Sequence, residues 1–309
     1  MKGTGRLGAP LSVGIEKGIL FMEKVLTIAG SDSSGGAGIQ ADIKTMMAHG
    51  VYASSVITAV TAQNTLGVKS IQVVRPDVFR DEVTAVYEDI CPDAVKIGMI
   101  ASVEQIDILA EMLRDYEASN IVIDPVMIAT SGTKLLPEDC IEILWKKLLC
   151  YADLITPNIP EALYLIEKTG IAPRGVNWNE SQEDIDYMAV AQVLFDNIRG
   201  SVLLKGGHRS DGKGTDILIT PEGETIIKGE IIESTNNHGT GCTLSSAIAS
   251  NLAKGMDMIT SVRLAKQYVE EALRDGLNLG QGNGPLNHGF DLHGKYIDLI
   301  TRLTIKESQ

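Results

Sequence analysis

The sequence predicts an α/β fold in which a mostly parallel central sheet is covered by helices on both faces. Three observations carry that expectation. Short apolar, β-branched runs alternate with helix-period segments along most of the chain, and turn residues mark the junctions between them. In addition, 44% of the 309 residues are hydrophobic and only 22% are charged, enough to bury a sizeable core without disulfides or a structural metal.

Val25 to Ala29 is a short apolar run closed by Gly30; a Ser/Gly cluster follows, then an amphipathic stretch from Gly38 to His49, which reads as strand, loop, helix. Strands are expected at Val51 to Val60, ending in a polar run Thr61 to Thr65, and at Val68 to Val74. Helices at Pro76 to Asp89 and Ser102 to Tyr116 alternate with strands at Ala94 to Ile97 and Asn120 to Asp124. A helix at Pro137 to Leu149, a strand at Asp153 to Ile155, helices at Ile159 to Glu167 and Ser181 to Ile198, and a strand at Ser201 to Lys205 continue the pattern. Pro221-Glu222-Gly223 separates Thr215 to Thr220 from Glu224 to Lys228 as in a hairpin, and helices at Gly241 to Lys254 and Asp257 to Leu277 close the domain. The polar stretch Ile171 to Glu183 is expected to be a surface loop.

A net charge of -13 argues against a nucleic-acid partner, because phosphate backbones are bound by clustered Lys and Arg. No apolar run approaches the roughly 20 residues that span a bilayer, so no membrane partner is expected. Cys91, Cys140, Cys150 and Cys242 show no CxxC spacing, which points to a reducing, cytoplasmic setting and to neither zinc nor a disulfide framework. Residues 1–21 are Gly-rich without a signal-peptide pattern and read as a loosely ordered extension, with the domain at 22–288 and a tail at 289–309.

Ligands of open α/β sheets sit beyond the carboxyl ends of the strands. The chain has no GxxxxGK[ST], and Gly35-Gly36-Ala37-Gly38 lacks the GxGxxG spacing, so phosphate must be held another way. In His238-Gly239-Thr240-Gly241-Cys242 the glycines let backbone N–H groups turn toward one point, and the small-residue helix that follows aims its positive end there. Such a turn suits the charge spread over a phosphoryl group in transfer. An ordinary Gly-containing helix start has the same spacing. Cys242 lies in the first helical turn, where the dipole lowers a thiol pKa and bound phosphate raises it; the sequence leaves open whether it accepts a substrate proton or merely fits the turn.

These residues, with Leu26-Thr27-Ile28-Ala29-Gly30-Ser31-Asp32 through Asp42, closely resemble the hydroxymethylpyrimidine and phosphomethylpyrimidine kinases of thiamine biosynthesis, in the ribokinase superfamily. The likeness runs from about Val25 to about His288. It includes Val60 to Thr65, Lys96-Ile97-Gly98-Met99, Asp124-Pro125-Val126-Met127, Thr156 to Ala162 and Lys205-Gly206-Gly207-His208. It implies a ribokinase-like three-layer sandwich, ATP as co-substrate and Mg2+ as cofactor. It further implies that Asp42 and Gln63 hydrogen-bond the aminopyrimidine and its hydroxymethyl group, with Gly30, Met99 and Val126 lining that pocket. By the same resemblance, Asn158 and Glu161 position magnesium and phosphates, largely through water, with help from Asp124. Lys205 reaches a nucleotide phosphate, and Cys242 acts as the base at a position where sugar kinases of the superfamily usually carry Asp. Gly239, Thr240 and Gly241 form the anion hole. Relatives are often dimers, so a homodimer is an expectation by analogy alone.

The resemblance implies phosphorylation of 4-amino-5-hydroxymethyl-2-methylpyrimidine and then of its monophosphate. Two alternatives remain at this stage: a pyridoxal or pyridoxine kinase of the same fold, against which Gln63 speaks, and a non-catalytic pyrimidine-binding protein, against which the full set Asp124, Asn158, Glu161, Lys205 and Cys242 speaks.

Overall fold

The computed structural model describes residues 22–127, 138–171, 186–206, 214–230 and 232–294. The expected extension 1–21, the expected loop beyond Ile171, Gly207 and His208, and residues 295–309 of the tail lie outside the described residues.

Among the described residues, strands β1 (Lys24–Asp32), β2 (Tyr52–Asn64), β3 (Gly67–Val73), β4 (Ala94–Ile97), β5 (Ile121–Ile123), β6 (Leu154–Ile155), β7 (Ser201–Leu204), β8 (Asp216–Thr220) and β9 (Gly223–Ile227) form one sheet, ordered β3-β2-β1-β4-β5-β6-β7-β8-β9. β2-β1-β4-β5-β6-β7 are parallel, and β3, β8 and β9 join antiparallel at the edges. The central strands are short and buried throughout, as strands covered on both faces must be.

Alternation along each strand divides the core. Leu26, Ile28, Val95 and Ile97 pack with Phe79 of α2 (Pro76–Asp89), Ile106 of α3 (Val103–Asp115) and Ile141 of α4 (Glu138–Ile143). The same layer holds Leu165 of α5 (Ile159–Thr169) and Leu194 of α6 (Tyr187–Phe195). Val25, Val122 and Leu203 face the other way, onto Met46 of α1 (Gly38–Ala48), Ile248 of α7 (Thr240–Ala253) and Val262 of α8 (Met258–Arg274). The result is the expected three-layer sandwich.

Two expectations change. The polar run after Val60 continues β2 to Asn64: Ala62, Gln63 and Asn64 pair with β3 alone across a register shift at Ala62/Gln63. Edge pairing supplies their backbone hydrogen bonds, so polarity does not end the strand. The expected helix ending at Leu149 is regular only to Ile143; a wider π turn over Leu144–Leu148 and a 3-10 turn over Leu149–Tyr151 follow, burying Leu144, Leu148 and Leu149.

The chain leaves β1 through α1 to β2 on one side, and β4 lies on the other. The strand order therefore switches between β1 and β4, which places a crevice at their carboxyl ends.

Candidate active site

α7 begins at that crevice. Its cap residue Gly239 has φ 87, and a Cβ there would lie 1.8 Å from the Gly36 carbonyl oxygen, so only glycine lets the loop after β1 lie across the turn. No side chain caps this helix start. The Thr240 N–H makes a long bond, 3.4 Å, back to the Asn237 carbonyl, and the N–H groups of Gly241 and Cys242 lie in the first turn, where no intrahelical acceptor exists. Thr240 Oγ1 donates to the Asn237 carbonyl at 2.7 Å and closes the turn.

Cation and carboxylates meet beside Gly241. Lys205, at the end of β7, donates to Asp124 Oδ1 at 2.8 Å and stands 4.0 Å from Glu161 Oε2. A Cβ on Gly241 would lie 3.2 Å from Asp124 Oδ2 and 3.4 Å from Lys205 Nζ, which explains the glycine. Asn158 caps α5: its side chain accepts from the Glu161 N–H while the Glu161 carboxylate accepts from the Asn158 N–H, with Pro160 in the first turn. Asn158 thus holds Glu161 in place. Burial foremost, with Lys205 opposing and Asp124 adding repulsion, pushes Glu161 up to about 7.

Burial also pushes the Cys242 thiol up to about 11, against the pull of the Lys96 ammonium and a Gly38 N–H. The sequence leaves the direction of this shift open; in the fold, desolvation outweighs the dipole of the first turn.

Gly30, Met99 and Val126 do come together. Met99, Ala59 and Ala101 form a small apolar cluster against which Val126 packs, and a Cβ on Gly30 would lie 3.2 Å from Met99 Sδ. Gln63, partly buried at the end of β2, has its amide Oε1 3.1 Å from Thr61 Oγ1 and its Nε2 3.2 Å from His238 Nε2.

Asp42 departs from expectation. It is fully buried on α1; Lys96 Nζ donates to both its oxygens at 2.9 and 2.8 Å, Thr27 Oγ1 to Oδ2 at 2.6 Å and Ser246 Oγ to Oδ1 at 2.7 Å. Four hydrogen bonds from three donors take up the lone pairs of one carboxylate, so in this structure Asp42 is a counter-ion and has no acceptor left for a pyrimidine. Its partner Lys96 is fully buried on β4; burial works against its charge, but Asp42 carries its pKa above the ordinary lysine range. Sequence reasoning quoted Lys96 without giving it a role, although a lysine between Val95 and Ile97 in a four-residue apolar strand is itself a sign of a buried partner. Asp32 and His238, which stand in the motifs without a role of their own, form a second buried pair: His238 Nε2 lies 2.8 Å from Asp32 Oδ2. A polar residue at the carboxyl end of β1 was the available signal.

Among the described residues no three His, Cys, Asp or Glu cluster as a metal cage. Asp124 and Glu161 offer hard oxygen donors of the kind magnesium prefers, and in this structure the Lys205 ammonium lies between them.

The three-layer fold and the uncapped α7 turn define a small-molecule kinase of the ribokinase type. A family model described as phosphomethylpyrimidine kinase matches residues 32–287, and the chain belongs to that family. It is 43% identical over 85% of its length, and 96% of the other's, to a hydroxymethylpyrimidine/phosphomethylpyrimidine kinase of Rhizobium meliloti. It is 44% identical to a thiamine biosynthesis bifunctional protein of Geobacter sulfurreducens over 85% of this chain, but spans only 52% of that longer protein. Among solved structures, a phosphomethylpyrimidine kinase of Clostridium difficile superposes with a TM-score of 0.68 at 45% identity, covering 81% of this chain and 99% of that one. An ADP complex of a Bacillus subtilis pyridoxal kinase gives 0.76 at 31% identity, covering 87% and 98%.

Proposed function

We propose that phosphoryl transfer takes place at the start of α7, with the acceptor pyrimidine between Gln63 and the Gly30, Met99 and Val126 wall. The chain is a phosphotransferase that uses ATP to phosphorylate the aminopyrimidine and then its monophosphate in thiamine biosynthesis, as its family membership states. The observation that supports this placement is the convergence of Lys205, Asp124, Glu161, Gly241 and Cys242 at one uncapped helix start.

The backbone N–H groups of Gly241 and Cys242, joined by Thr240 if it gives up its long bond to Asn237, meet the charge that accumulates on the transferred group, and Lys205 adds a fixed cation to the nucleotide side. Magnesium, when bound, neutralises phosphate charge; Asp124 and Glu161 would hold it, with Asn158 fixing Glu161. Cys242, in its thiolate form, takes the proton of the acceptor hydroxyl during the first transfer. The second transfer needs no base, because a phosphate oxygen is already ionised. Cys242→Ala is therefore expected to slow the first transfer about 10²-fold or more and the second much less, measured as separate rates of ADP formation with each acceptor. Because the thiol stands near 11, the first-transfer rate should climb with pH from 7 to 9 while the second stays flat. Equal losses in the variant, or parallel pH profiles, reject the proton-accepting role.

Pyridoxal is the second acceptor to test, since the pyridoxal kinase superposes with the higher TM-score. ADP formation with the pyrimidine and not with pyridoxal is the expected result, and the reverse overturns the substrate assignment. No magnesium-dependent ADP formation with either acceptor would favour a binding protein. A cytoplasmic setting and pairing of two copies belong to the same proposal, the first on cysteine usage and the second by analogy; no described helix is long and apolar enough to cross a membrane.

A further inference from the structure

Three segments distant in sequence meet at His238. Asp32, at the end of β1, is held in place by the Ser34 and Ala37 N–H groups and the Ser34 hydroxyl, at 2.8 to 2.9 Å. Burial works against the ionised form, but the bond to His238 foremost and then those from Ser34 keep its carboxyl below the usual range. An ionised carboxylate only accepts hydrogen bonds, so the proton on the histidine face toward Asp32 sits on Nε2. That places a donor 3.2 Å from the Gln63 amide. An amide NH2 facing it would set donor against donor, whereas the amide oxygen accepts a shared bond.

The opposite end of the amide gives the same orientation. Thr61 Oγ1 has one hydrogen, and the Ser31 carbonyl lies 3.0 Å away to accept it. The Gln63 atom 3.1 Å from Thr61 Oγ1, placed as Oε1, must then donate, so hydrogen-bond satisfaction turns the amide over and makes that atom Nε2. With Oε1 toward His238 and Nε2 toward Thr61 every group in the network is satisfied; the reverse leaves one hydroxyl hydrogen for two acceptors and two N–H groups in opposition. The backbone of Gln63 is fixed as well, because its N–H donates to Ser33 Oγ and Ser33 Oγ donates to its carbonyl, at 2.8 and 2.7 Å. The histidine ring is seated against Gly36, where a Cβ would fall 2.4 Å from Cδ2.

We propose that Asp32 and His238 are positioning residues that lock the Gln63 amide in one orientation and thereby set acceptor specificity. Locked this way, Gln63 keeps one N–H and one oxygen lone pair for a ligand, in fixed order. An aminopyrimidine edge offers the complement, a ring nitrogen that accepts beside an amino group that donates. A pyridine ring bearing hydroxyl and aldehyde groups lacks that pair. The inference rests on the proposed contact between Gln63 and the pyrimidine.

The test compares Gln63→Ala, His238→Ala, the double variant, His238→Gln and Thr61→Val in steady-state kinetics with 4-amino-5-hydroxymethyl-2-methylpyrimidine and magnesium-ATP. Gln63→Ala and His238→Ala are each expected to raise the acceptor KM about tenfold, with the KM for ATP and kcat within about threefold of wild type. The double variant should be no worse than Gln63→Ala alone, because both remove the same contact. His238→Gln, which keeps a donor for Asp32, should restore much of the acceptor KM. Thr61→Val keeps shape, removes the other anchor and should raise the acceptor KM to a similar degree, so the idea is tested even where His238→Ala folds poorly. An unchanged KM in Gln63→Ala overturns both the pyrimidine contact and the lock. A raised KM there with additive losses in the double variant, or with no effect of Thr61→Val, overturns the lock alone.

Discussion

Asp42 and Lys96 show how one residue can be read correctly by type and wrongly by partner. A carboxylate on the first turns of α1 was a reasonable pyrimidine ligand until its four acceptor positions were seen filled by Lys96, Thr27 and Ser246. The pair has no exposed surface on either side chain, and such pairs gain little over apolar residues of similar volume while half a pair is costly. Lys96→Met is accordingly expected to lower stability by about 3–5 kcal/mol, as an uncompensated carboxylate remains buried. Lys96→Met with Asp42→Asn should recover most of that loss, as read from urea midpoints at constant m-value. A double variant no more stable than the single would show that the pair is held for more than mutual neutralisation. Cys242 is the complementary case: its position was legible, but desolvation by several elements decided the direction of its pKa.

Among the elements, α7 governs the site. Ten consecutive residues from Thr243 to Leu252 are buried, and the run Ser245 to Ala249 contains only one large side chain, so α1, α8 and the sheet all approach closely. Ser245 and Ser250 return their hydroxyls to carbonyls four residues back, at 2.9 and 2.7 Å, so polarity does not exclude them from the interior. The turn before α7 depends on Gly239. Gly239→Ala would face both a positive φ and the Gly36 carbonyl, forcing the two glycine-rich segments apart. The strained backbone alone costs about 1–3 kcal/mol. A lowered Tm is expected together with a rise of at least tenfold in the KM for ATP, and a normal KM for ATP would show that the turn does not hold the nucleotide phosphates.

At the scale of the whole molecule, packing also sets the response to acid. His288, which follows the last strap of chain over α8, is buried with Nε2 2.9 Å from Thr243 Oγ1, and burial lowers its pKa to about 4 from 6.5. Between those values the unfolded chain takes a proton that the folded protein refuses. Its contribution to stability is therefore fully present above pH 6.5 and declines as pH falls toward 4, at about 1.4 kcal/mol for each pH unit of the shift. His288→Gln should flatten the fall in Tm between pH 6.5 and 4, and an unchanged slope would place the acid sensitivity elsewhere. The sequence by itself determined the alternation of elements, the glycine turn and the chemical types gathered near it, because periodicity, caps and turn residues act over a few neighbours. It placed Gly30, Met99 and Val126 on one wall through resemblance, and it set the strand after Val60 too short because the partner that completes its ladder, β3, counts only once the edge is paired. Only the tertiary structure decided which charges cancel, which thiol stays protonated and which groups surround the Gln63 amide. Those outcomes depend on burial and on partners brought together from opposite ends of the chain, as Asp32 and His238 are. The turn at the head of α7 was therefore readable as a place, while its electrostatics had to be built by the fold.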